Sequence, residues 1–299
     1  MVYQKTESQH RNDIIDICKR VHNNGWVASN DGNISIRIGP NAVLCTPTAM
    51  SKGYLTTDQL VKLDMDGNKL EGELEASSEV KIHLDVFKNK EGINSAVHAH
   101  PPYSTAYAVA GIPLDQCVIP EIIVSLGSIP LTKYGTPSTQ EIPESIRKYL
   151  PDHNAFLLEN HGAFTIGSDV HQAYYRMESM ELFAKISLLA KTLGNVNTIS
   201  EENVQKIMDM RSNWIKDEGG YAGCRIDDKL IGGNGNGSGA GVNDLAGQDS
   251  GNNGNGSSCS SCTSRNISTA VNSDDMITIR KSDLVDMVSK IVANIVNKK

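Results

Sequence analysis

The sequence predicts a layered α/β fold, because stretches with helical and with strand-like spacing of apolar residues alternate along it. Residues 9–23 repeat apolar side chains at the period of an amphipathic helix, and residues 170–193 do so over a longer stretch. Residues 33–38 alternate apolar and polar side chains as a half-buried strand does. Helices and sheets of this kind each bury one face, so we expect them to stack as layers around a sheet.

The other elements of the fold follow in chain order. The sequence TPT at residues 46–48 ends a second strand, and SSE at residues 77–79 opens a helix. Residues 93–100 form a strand that is followed by two prolines. Residues 155–166 form a pair of strands that turns at the sequence NHG, residues 160–162. Polar loops therefore flank several of the predicted strands and helices.

The composition excludes several classes of partner. Hydrophobic residues make up 39 % and charged residues 21 % of the 299 residues, which allows a large core. The formal net charge of -7 argues against nucleic acid, which needs a basic face. The N-terminus has no apolar signal segment and no stretch has the length of a membrane span, so we expect a cytoplasmic protein without a membrane partner. The six cysteines are irregularly spaced, and we expect no disulfide framework.

The composition also divides the chain into three regions. Residues 1–227 have the composition of a globular unit. From 232 to 256, ten of 25 residues are glycine and six are asparagine, which leaves too little apolar surface to fold, so residues 228–275 are predicted to be a flexible linker. Residues 276–299 are predicted to form an amphipathic helix. Its apolar stripe follows helical spacing at Leu284, Val288, Ile291 and Ile295.

The sharpest local feature is a pair of histidines at the end of a predicted strand. His98 and His100 point to the same face, because side chains alternate along a strand. His161, in a polar turn, could supply a third imidazole. Three neutral imidazoles leave an open position, as in catalytic metal sites, and zinc is the first choice, with manganese, iron and cobalt as alternatives. The other histidines each stand alone and have no predicted role.

Several polar residues near the predicted loops have two readings. Glu79 is either a favourable acid in the first turn of a helix or a carboxylate that acts as a base near a metal. The sequence NDGN at residues 30–33, TPT at residues 46–48 and the serine pair at residues 77–78 are either plain turns or loops that hold an anion. The residues alone do not choose between these readings.

Taken together, five sequence blocks resemble the class II aldolase/adducin family. They occur in the family's order and at close to its separations, and the resemblance covers about residues 8–215. The blocks are GNIS at residues 32–35, TPT at residues 46–48, SSE at residues 77–79 followed by His83, HAH at residues 98–100 and NHG at residues 160–162. The resemblance implies an α/β/α sandwich around a mostly antiparallel sheet, in a homotetramer with active sites between subunits.

The resemblance also implies roles for individual residues. The zinc ligands would be His98, His100 and His161, and Glu79 would be the general base. The substrate phosphate would be held by Asn33, Thr48, Ser77 and Ser78, with Gly32 allowing close approach of the backbone. One departure concerns residues 118–121, which lack the tyrosine common in the fuculose-phosphate aldolases of the family. Trp214 and Tyr221 are the candidates for an aromatic residue that closes the site.

Within the family, the likeness to fuculose-phosphate aldolases implies metal-dependent cleavage of a ketose 1-phosphate. L-Fuculose 1-phosphate would yield dihydroxyacetone phosphate and lactaldehyde. A glutamate at position 79 favours this activity over that of the related epimerases, which tend to have aspartate there. The alternatives are a methylthioribulose-phosphate dehydratase or another sugar-phosphate lyase or epimerase, and, in a different class, a non-catalytic assembly protein.

The predicted C-terminal helix resembles the encapsulation peptides that load enzymes into bacterial microcompartments. Such a helix docks its apolar face on a partner protein. This resemblance implies that residues 276–299 bind shell or cargo proteins and that the enzyme works inside a microcompartment. A shell would confine lactaldehyde, which is a reactive product.

Overall fold

One eight-stranded sheet forms the centre of the computed structural model, which describes residues 5–215, 221–227 and 229–233. The strands are β1 (Asn33–Gly39), β2 (Ala42–Cys45), β3 (Val61–Leu63), β4 (Lys69–Glu71), β5 (Ser95–Ala99), β6 (Leu131–Thr132), β7 (Ala155–Leu158), β8 (Gly162–Gly167), β9 (Cys224–Ile226) and β10 (Lys229–Ile231). The helices are α1 (Glu7–Asn23), α2 (Val80–Asn89), α3 (Pro102–Val109), α4 (Pro120–Ser125), α5 (Glu141–Arg147), α6 (Val170–Leu193) and α7 (Glu201–Trp214).

The order of the strands confirms the mostly antiparallel sheet. It runs β4-β3-β2-β1-β5-β8-β7-β6, and β9 and β10 form a separate hairpin. All neighbours in the large sheet are antiparallel except β6 and β7. β5 therefore lies in the middle of the sheet between β1 and β8, and its polar side chains must find partners inside the protein.

Helices cover both faces of the sheet, so the predicted α/β/α sandwich is confirmed. Apolar residues of α1, α3 and α6 pack on one face, and those of α2 and α5 pack on the other. Strand alternation assigns Val97 to the first face and Ala96 to the second. His98 lies two residues after Ala96, so its side chain projects toward the face that α2 covers.

Local capping explains where the two long helices begin and end. Thr6 caps α1 in a reciprocal arrangement with Gln9, so α1 begins at Glu7, two residues before the predicted start. Asp169 accepts a hydrogen bond from the backbone of Gln172, and Gly194 ends α6 in the left-handed region with φ +115°. The helix predicted for residues 170–193 is thus confirmed at both ends.

The expectation of no disulfide is wrong for one pair of cysteines. Cys117 and Cys224 form a disulfide, although 107 residues separate them in sequence. The β9–β10 hairpin packs beside the segment before α4, where the Cys117 N–H donates to the Arg225 carbonyl at 3.0 Å. Sequence spacing could not reveal this neighbourhood, because it is created by tertiary packing. Disulfides are uncommon in reducing compartments, so this pair gives no support to a cytoplasmic location.

The predicted start of the linker is also corrected. Residues 229–231 were assigned to the linker, but they form β10, in which the side chain of Ile231 is buried. The folded part therefore extends past residue 227. The remainder of the predicted linker and the predicted helix at residues 276–299 lie outside the described residues. Within the described ranges, no helix has the length and apolar character needed to cross a membrane.

Candidate metal centre

Three different backbone settings bring the predicted histidines together. His98 lies on β5, where it pairs with Asn33 on β1 and with Phe164 on β8. His100 follows the end of β5, and its N–H donates to the Trp26 carbonyl at 2.8 Å. His161 lies in the tight turn between β7 and β8. All three imidazoles therefore lie at the same end of the neighbouring strands β5, β7 and β8.

The three rings form a compact cluster. Their centroids are 5.1 Å apart for His98 and His100, 4.7 Å for His98 and His161, and 5.3 Å for His100 and His161. One nitrogen from each ring can be chosen so that all three lie within 4.8 Å of one another. These distances fit three ligands around one cation.

The hydrogen bonds of the cluster leave nitrogens free for a metal ion. His98 Nδ1 lies 2.9 Å from the Ala163 carbonyl oxygen, which only accepts, so Nδ1 carries the proton and Nε2 has a free lone pair. A backbone partner on the second nitrogen is the usual way to orient a metal-ligating imidazole. Among the described residues, the buried ring nitrogens without a hydrogen-bond partner include His98 Nε2, His100 Nε2 and His161 Nδ1. The residues present therefore fit a divalent cation.

Burial keeps His98 and His100 in the protonation state that a metal requires. Burial lowers the pKa of His98 to about 3, although the nearby Glu79 carboxylate acts in the opposite direction. Burial also lowers the pKa of His100. Neutral imidazoles bind metal ions, whereas protonated ones do not. At neutral pH, both groups are therefore ready to act as ligands.

Glu79 is the carboxylate of this site. It immediately precedes α2, with Oε1 3.2 Å from His161 Nε2 and Oε2 3.6 Å from His98 Nε2. Asn33 Nδ2 donates to Glu79 Oε2 at 2.8 Å. Burial raises the pKa of Glu79, but the hydrogen bond with His161 and the neighbouring imidazole rings outweigh burial and hold it below its ordinary value. The spatial link between Glu79 and the histidines, which the sequence did not supply, is therefore present.

Two glycines allow the backbone to pass close to the cluster. A Cβ atom on Gly162 would lie 2.5 Å from His100 Cδ2, and one on Gly32 would lie 2.8 Å from the His98 carbonyl oxygen. Gly32 also has φ +72°, which favours glycine. Gly32 thus lets its loop pass close to the strand that carries His98. The family resemblance implies instead that Gly32 lets the backbone approach a phosphate.

An open cleft of about 290 Å³ connects the cluster with the predicted anion loops. It is lined by Asn30, Asp31, Gly32, Pro47, Thr48, Ser77, Ser78, Glu79, His100, Ser138 and His161. Four of the five predicted phosphate residues line this cleft. The fifth, Asn33, lies behind it with its amide on Glu79. The cleft can therefore hold a molecule with an anionic end and a metal-chelating end.

Two residues of the cleft were missed by the sequence analysis. Asp31 Oδ2 lies 3.4 Å from His100 Nδ1, and it belongs to the NDGN motif that had been read only as a turn or an anion loop. Ser138 Oγ lies 2.6 Å from Ser78 Oγ, although 60 residues separate them. Asp31 could have been noticed in the sequence as a carboxylate beside a glycine turn. No sequence pattern indicates Ser138.

Tyr221, one of the two candidates for an aromatic residue that closes the site, does not line this cleft. Tyr221 is buried, and its hydroxyl donates to the Ile123 carbonyl on α4. The side chain of Trp214 lies outside the described part of the structure. The segment at residues 118–121 forms the start of α4 and has no tyrosine.

Comparisons with known proteins identify the family of the chain. A family model described as the Class II Aldolase and Adducin N-terminal domain matches residues 12–188. An L-fuculose phosphate aldolase from Methanococcus maripaludis is 32 % identical over 181 residues, which are 60 % of this chain and 97 % of that protein. A 3-oxo-tetronate 4-phosphate decarboxylase from Escherichia coli is 29 % identical over 188 residues, 62 % of this chain and 88 % of that protein.

The fold is shared with solved structures as well. The crystal structure of YgbL from Escherichia coli matches with a TM-score of 0.64 and 26 % identity, covering 68 % of this chain and 99 % of that one. The family model also spans more than half of the 299 residues, and all three histidines lie inside the matched range. On this match over more than half of the chain, and on the shared fold, the chain belongs to the class II aldolase and adducin family.

Proposed function

We propose that the chain is a divalent-metal-dependent aldolase that cleaves a ketose 1-phosphate, with L-fuculose 1-phosphate as the first candidate substrate. The observation that carries this proposal is the position of Glu79. Its carboxylate lies within 3.2 Å of His161 and 3.6 Å of His98, at one end of a cleft whose other end is lined by hydroxyl groups. The proposed base, the proposed metal site and the proposed anion site would thus share one space.

The metal would be held by the three imidazoles, and zinc is the first candidate because all three donors are neutral nitrogens. Manganese, iron and cobalt remain candidates for the same donor set. When bound, a divalent cation supplies a Lewis acid for the negative charge that cleavage places on the ketose half of the substrate.

The protein's own groups would handle the protons of the reaction. Cleavage breaks the C3–C4 bond, the C4 hydroxyl loses its proton and the C4 oxygen becomes the aldehyde carbonyl. The electron pair of the broken bond passes to the C2 carbonyl as an enediolate, and protonation at C3 then gives dihydroxyacetone phosphate. Glu79 has the position to move the proton at C3. Asn33 orients the Glu79 carboxylate by donating to Oε2 at 2.8 Å.

The phosphate would lie at the hydroxyl-lined end of the cleft. Thr48, Ser77 and Ser78 line this end, and Ser77 and Ser78 directly precede α2. The unpaired N–H groups at the start of a helix favour an anion. Asn33 acts on Glu79 in this arrangement, so its role in the proposal is to orient the base.

A second candidate is decarboxylation of a 3-oxo acid phosphate. The observation in its favour is the Escherichia coli relative named 3-oxo-tetronate 4-phosphate decarboxylase, which is 29 % identical to this chain. When carbon dioxide leaves such a substrate, the electron pair of the broken C1–C2 bond passes to the 3-oxo group as an enediolate, and protonation at C2 again gives dihydroxyacetone phosphate. The same cation and the same phosphate loops serve both reactions, so the two candidates differ in the group that leaves.

The experiment that tests the proposal supplies both substrates to purified protein, with and without a chelator. We expect chelator-sensitive release of dihydroxyacetone phosphate from L-fuculose 1-phosphate and no release of carbon dioxide from 3-oxo-tetronate 4-phosphate. Release of carbon dioxide from 3-oxo-tetronate 4-phosphate, with no dihydroxyacetone phosphate formed from L-fuculose 1-phosphate, would establish the second candidate. A protein that holds one metal per subunit and acts on neither would contradict both.

We further propose that the enzyme is a homotetramer and that its C-terminal region is a targeting segment. Exposed apolar side chains follow helical spacing along α6, which suits contact with other copies of the chain. These side chains are Tyr175, Leu182, Ile186, Leu189 and Leu193. Light scattering is expected to give the mass of four subunits, and that of a monomer would contradict the first part.

The proposed partners of the targeting segment, residues 276–299, are microcompartment shell or cargo proteins. Because β10 ends at Ile231, a deletion that tests this targeting must start beyond that residue. Removing residues 242–299 is expected to leave turnover unchanged and to abolish co-sedimentation with shell proteins. Loss of turnover in the shortened protein would contradict a targeting segment that is separate from the catalytic domain.

A further inference from the structure

Lys52 is a buried cation behind the cleft. It belongs to the short turn Lys52–Tyr54, and only 1 % of it is exposed. Its Nζ donates to the carbonyl oxygen of Asn30 at 2.8 Å and to that of Met50 at 2.9 Å. The side chain thus ends between two loops that contribute to the cleft.

The surroundings of this ammonium group are unusual for a buried charge. Its two acceptors are neutral carbonyl groups, and within the described residues no carboxylate forms an ion pair with it. Burial lowers the pKa of Lys52, while Cys18, Asp31 and Glu79 act to raise it. A buried charge without an ionic partner destabilises a fold, so its presence calls for a compensating use.

The two hydrogen bonds connect the loops that carry the proposed anion site. Asn30 opens the loop whose Asp31 faces His100 at 3.4 Å and whose glycine, Gly32, lines the cleft. Met50 follows Thr48, another lining residue, by two positions. A single side chain therefore fixes the distance between two segments that are about 20 residues apart in sequence.

The charge balance of the cleft gives Lys52 a second use. Among the described residues, the lining includes the carboxylates of Asp31 and Glu79 but no lysine or arginine. At the rim, the Lys81 ammonium group is held by the Ser138 carbonyl at 2.8 Å. The divalent cation proposed for the histidines would offset the two carboxylates at its own end of the cleft. A doubly charged phosphate at the other end would be favoured by a further positive charge, because low surrounding polarity extends the field of a buried cation.

We propose that Lys52 is a positioning residue for the anionic end of the substrate, tying the two loops together and placing a positive charge behind them. This inference rests on the proposed function, because it requires that the cleft receive a phosphate group. It goes beyond the hydroxyl-lined loops, since Lys52 does not line the cleft and acts through the loops and through its field.

The test compares three variants of the full chain loaded with metal. Lys52→Met removes the charge and both donors at similar length, and Lys52→Arg retains them. Lys88→Met is the matched control, since it removes one positive charge from an exposed ion pair with Asp66. Binding of inorganic phosphate and of dihydroxyacetone phosphate is measured by titration calorimetry without turnover, together with metal content, melting temperature, KM and kcat.

We expect Lys52→Met to weaken both ligands and to raise KM about tenfold, with kcat changed less and with full metal content. The loss should shrink as salt is added, because it is partly a loss of charge. Lys52→Arg should recover most of the affinity, and Lys88→Met should match the wild type. A purely structural role would lower the melting temperature and metal content without this division between KM and kcat.

Other outcomes overturn the inference in distinguishable ways. Affinities and KM within about twofold of the wild type for folded Lys52→Met would contradict it. Should Lys52→Met fail to fold, Lys52→Arg decides, because weak binding by a folded arginine variant would also contradict the inference. Absence of phosphate binding by the wild type would instead contradict the phosphate site of the proposed function.

Discussion

The two ends of the cleft are constructed in different ways. At the metal end, His98 lies on a central strand and His161 in a tight turn between two neighbouring strands, so sheet pairing sets their separation. At the proposed anion end, Thr48 and Ser78 come from loops, and Ser78 is joined to Ser138 by a contact between side chains. The first end is determined by backbone hydrogen bonds and the second by contacts among loop residues.

This difference indicates how each end should respond to substitution. Strand backbone changes little when one side chain is removed, so substitutions at the metal end should act through lost ligands and lost charge. Loops move more easily, so substitutions at the anion end should act on affinity and on KM.

The largest effect is expected from loss of a metal ligand. His98→Ala removes an imidazole whose Nε2 is buried without a hydrogen-bond partner. We expect bound metal to be lost and kcat/KM to fall by at least about 10³-fold, because charge in the transition state is no longer stabilised. His171→Ala is the control, since His171 contacts Asp13 rather than the cluster. Retention of one metal per subunit with unchanged turnover would show that the cluster is not the catalytic metal site.

The next effect separates the base from the ligands. Glu79→Gln keeps the shape of the side chain but removes a carboxylate that lies 3.2 Å from His161. We expect kcat to fall about 10²-fold or more, with metal content retained, because proton transfer is lost while the imidazoles stay in place. Single-turnover kinetics with metal analysis on the same sample checks this. Equal loss of metal and turnover would instead make Glu79 a ligand.

The metal end was readable from the sequence because its geometry follows simple periodicities. The i, i+2 spacing of His98 and His100 requires only a strand, and the turn that carries His161 was visible as a polar break between apolar runs. The ends of α6 were equally visible, since Asp169 and Gly194 are ordinary capping residues. Each of these inferences depends on residues that are close in sequence.

The remaining features depend on residues that are far apart in sequence. Ser138 reaches Ser78 across 60 residues, and Cys117 reaches Cys224 across 107. Lys52 has no motif around it, and its importance follows only from its burial and from the carbonyl groups it contacts. Such contacts are set by the packing of the whole chain, which one sequence does not encode in any local pattern.

The close approach between the anion loop and the metal strand can be tested with two matched glycines. Gly25 and Gly32 have φ +69° and φ +72°, but a Cβ atom would meet nothing within 4 Å at Gly25 and the His98 carbonyl at 2.8 Å at Gly32. We expect Gly25→Ala to lower the free energy of unfolding by about 1 kcal/mol. Gly32→Ala should cost about 1–3 kcal/mol more and weaken metal binding. Urea unfolding measures the free energies of unfolding, and metal titration measures the affinities. Equal losses of unfolding free energy in the two variants would mean that the loop at Gly32 moves away without cost.

The smallest effect concerns His83, which supports the metal end from behind. It lies on α2, four residues after Glu79, fully buried, with Nδ1 2.7 Å from Ser35 Oγ. Burial lowers the pKa of His83 to about 3, with Glu79 acting in the opposite direction. Below a pH of about 6.5, the unfolded chain binds a proton at this position that the folded chain does not, so the free energy of unfolding falls as the pH falls.

The size of this contribution can be isolated with His83→Gln. When the pH falls from 7.5 to 5.0, protonation of His83 in the unfolded chain should lower the free energy of unfolding of the wild type by about 2 kcal/mol. The free energy of unfolding of the variant should fall by about 2 kcal/mol less. Other buried histidines, such as His153, titrate in both proteins and cancel in the difference. The measurement is urea unfolding of both proteins at both pH values in the presence of a chelator, so that metal release does not contribute. An equal loss in the two proteins would mean that the interior around His83 opens enough to admit the proton, and the metal end would then be less rigid than its strand pairing implies.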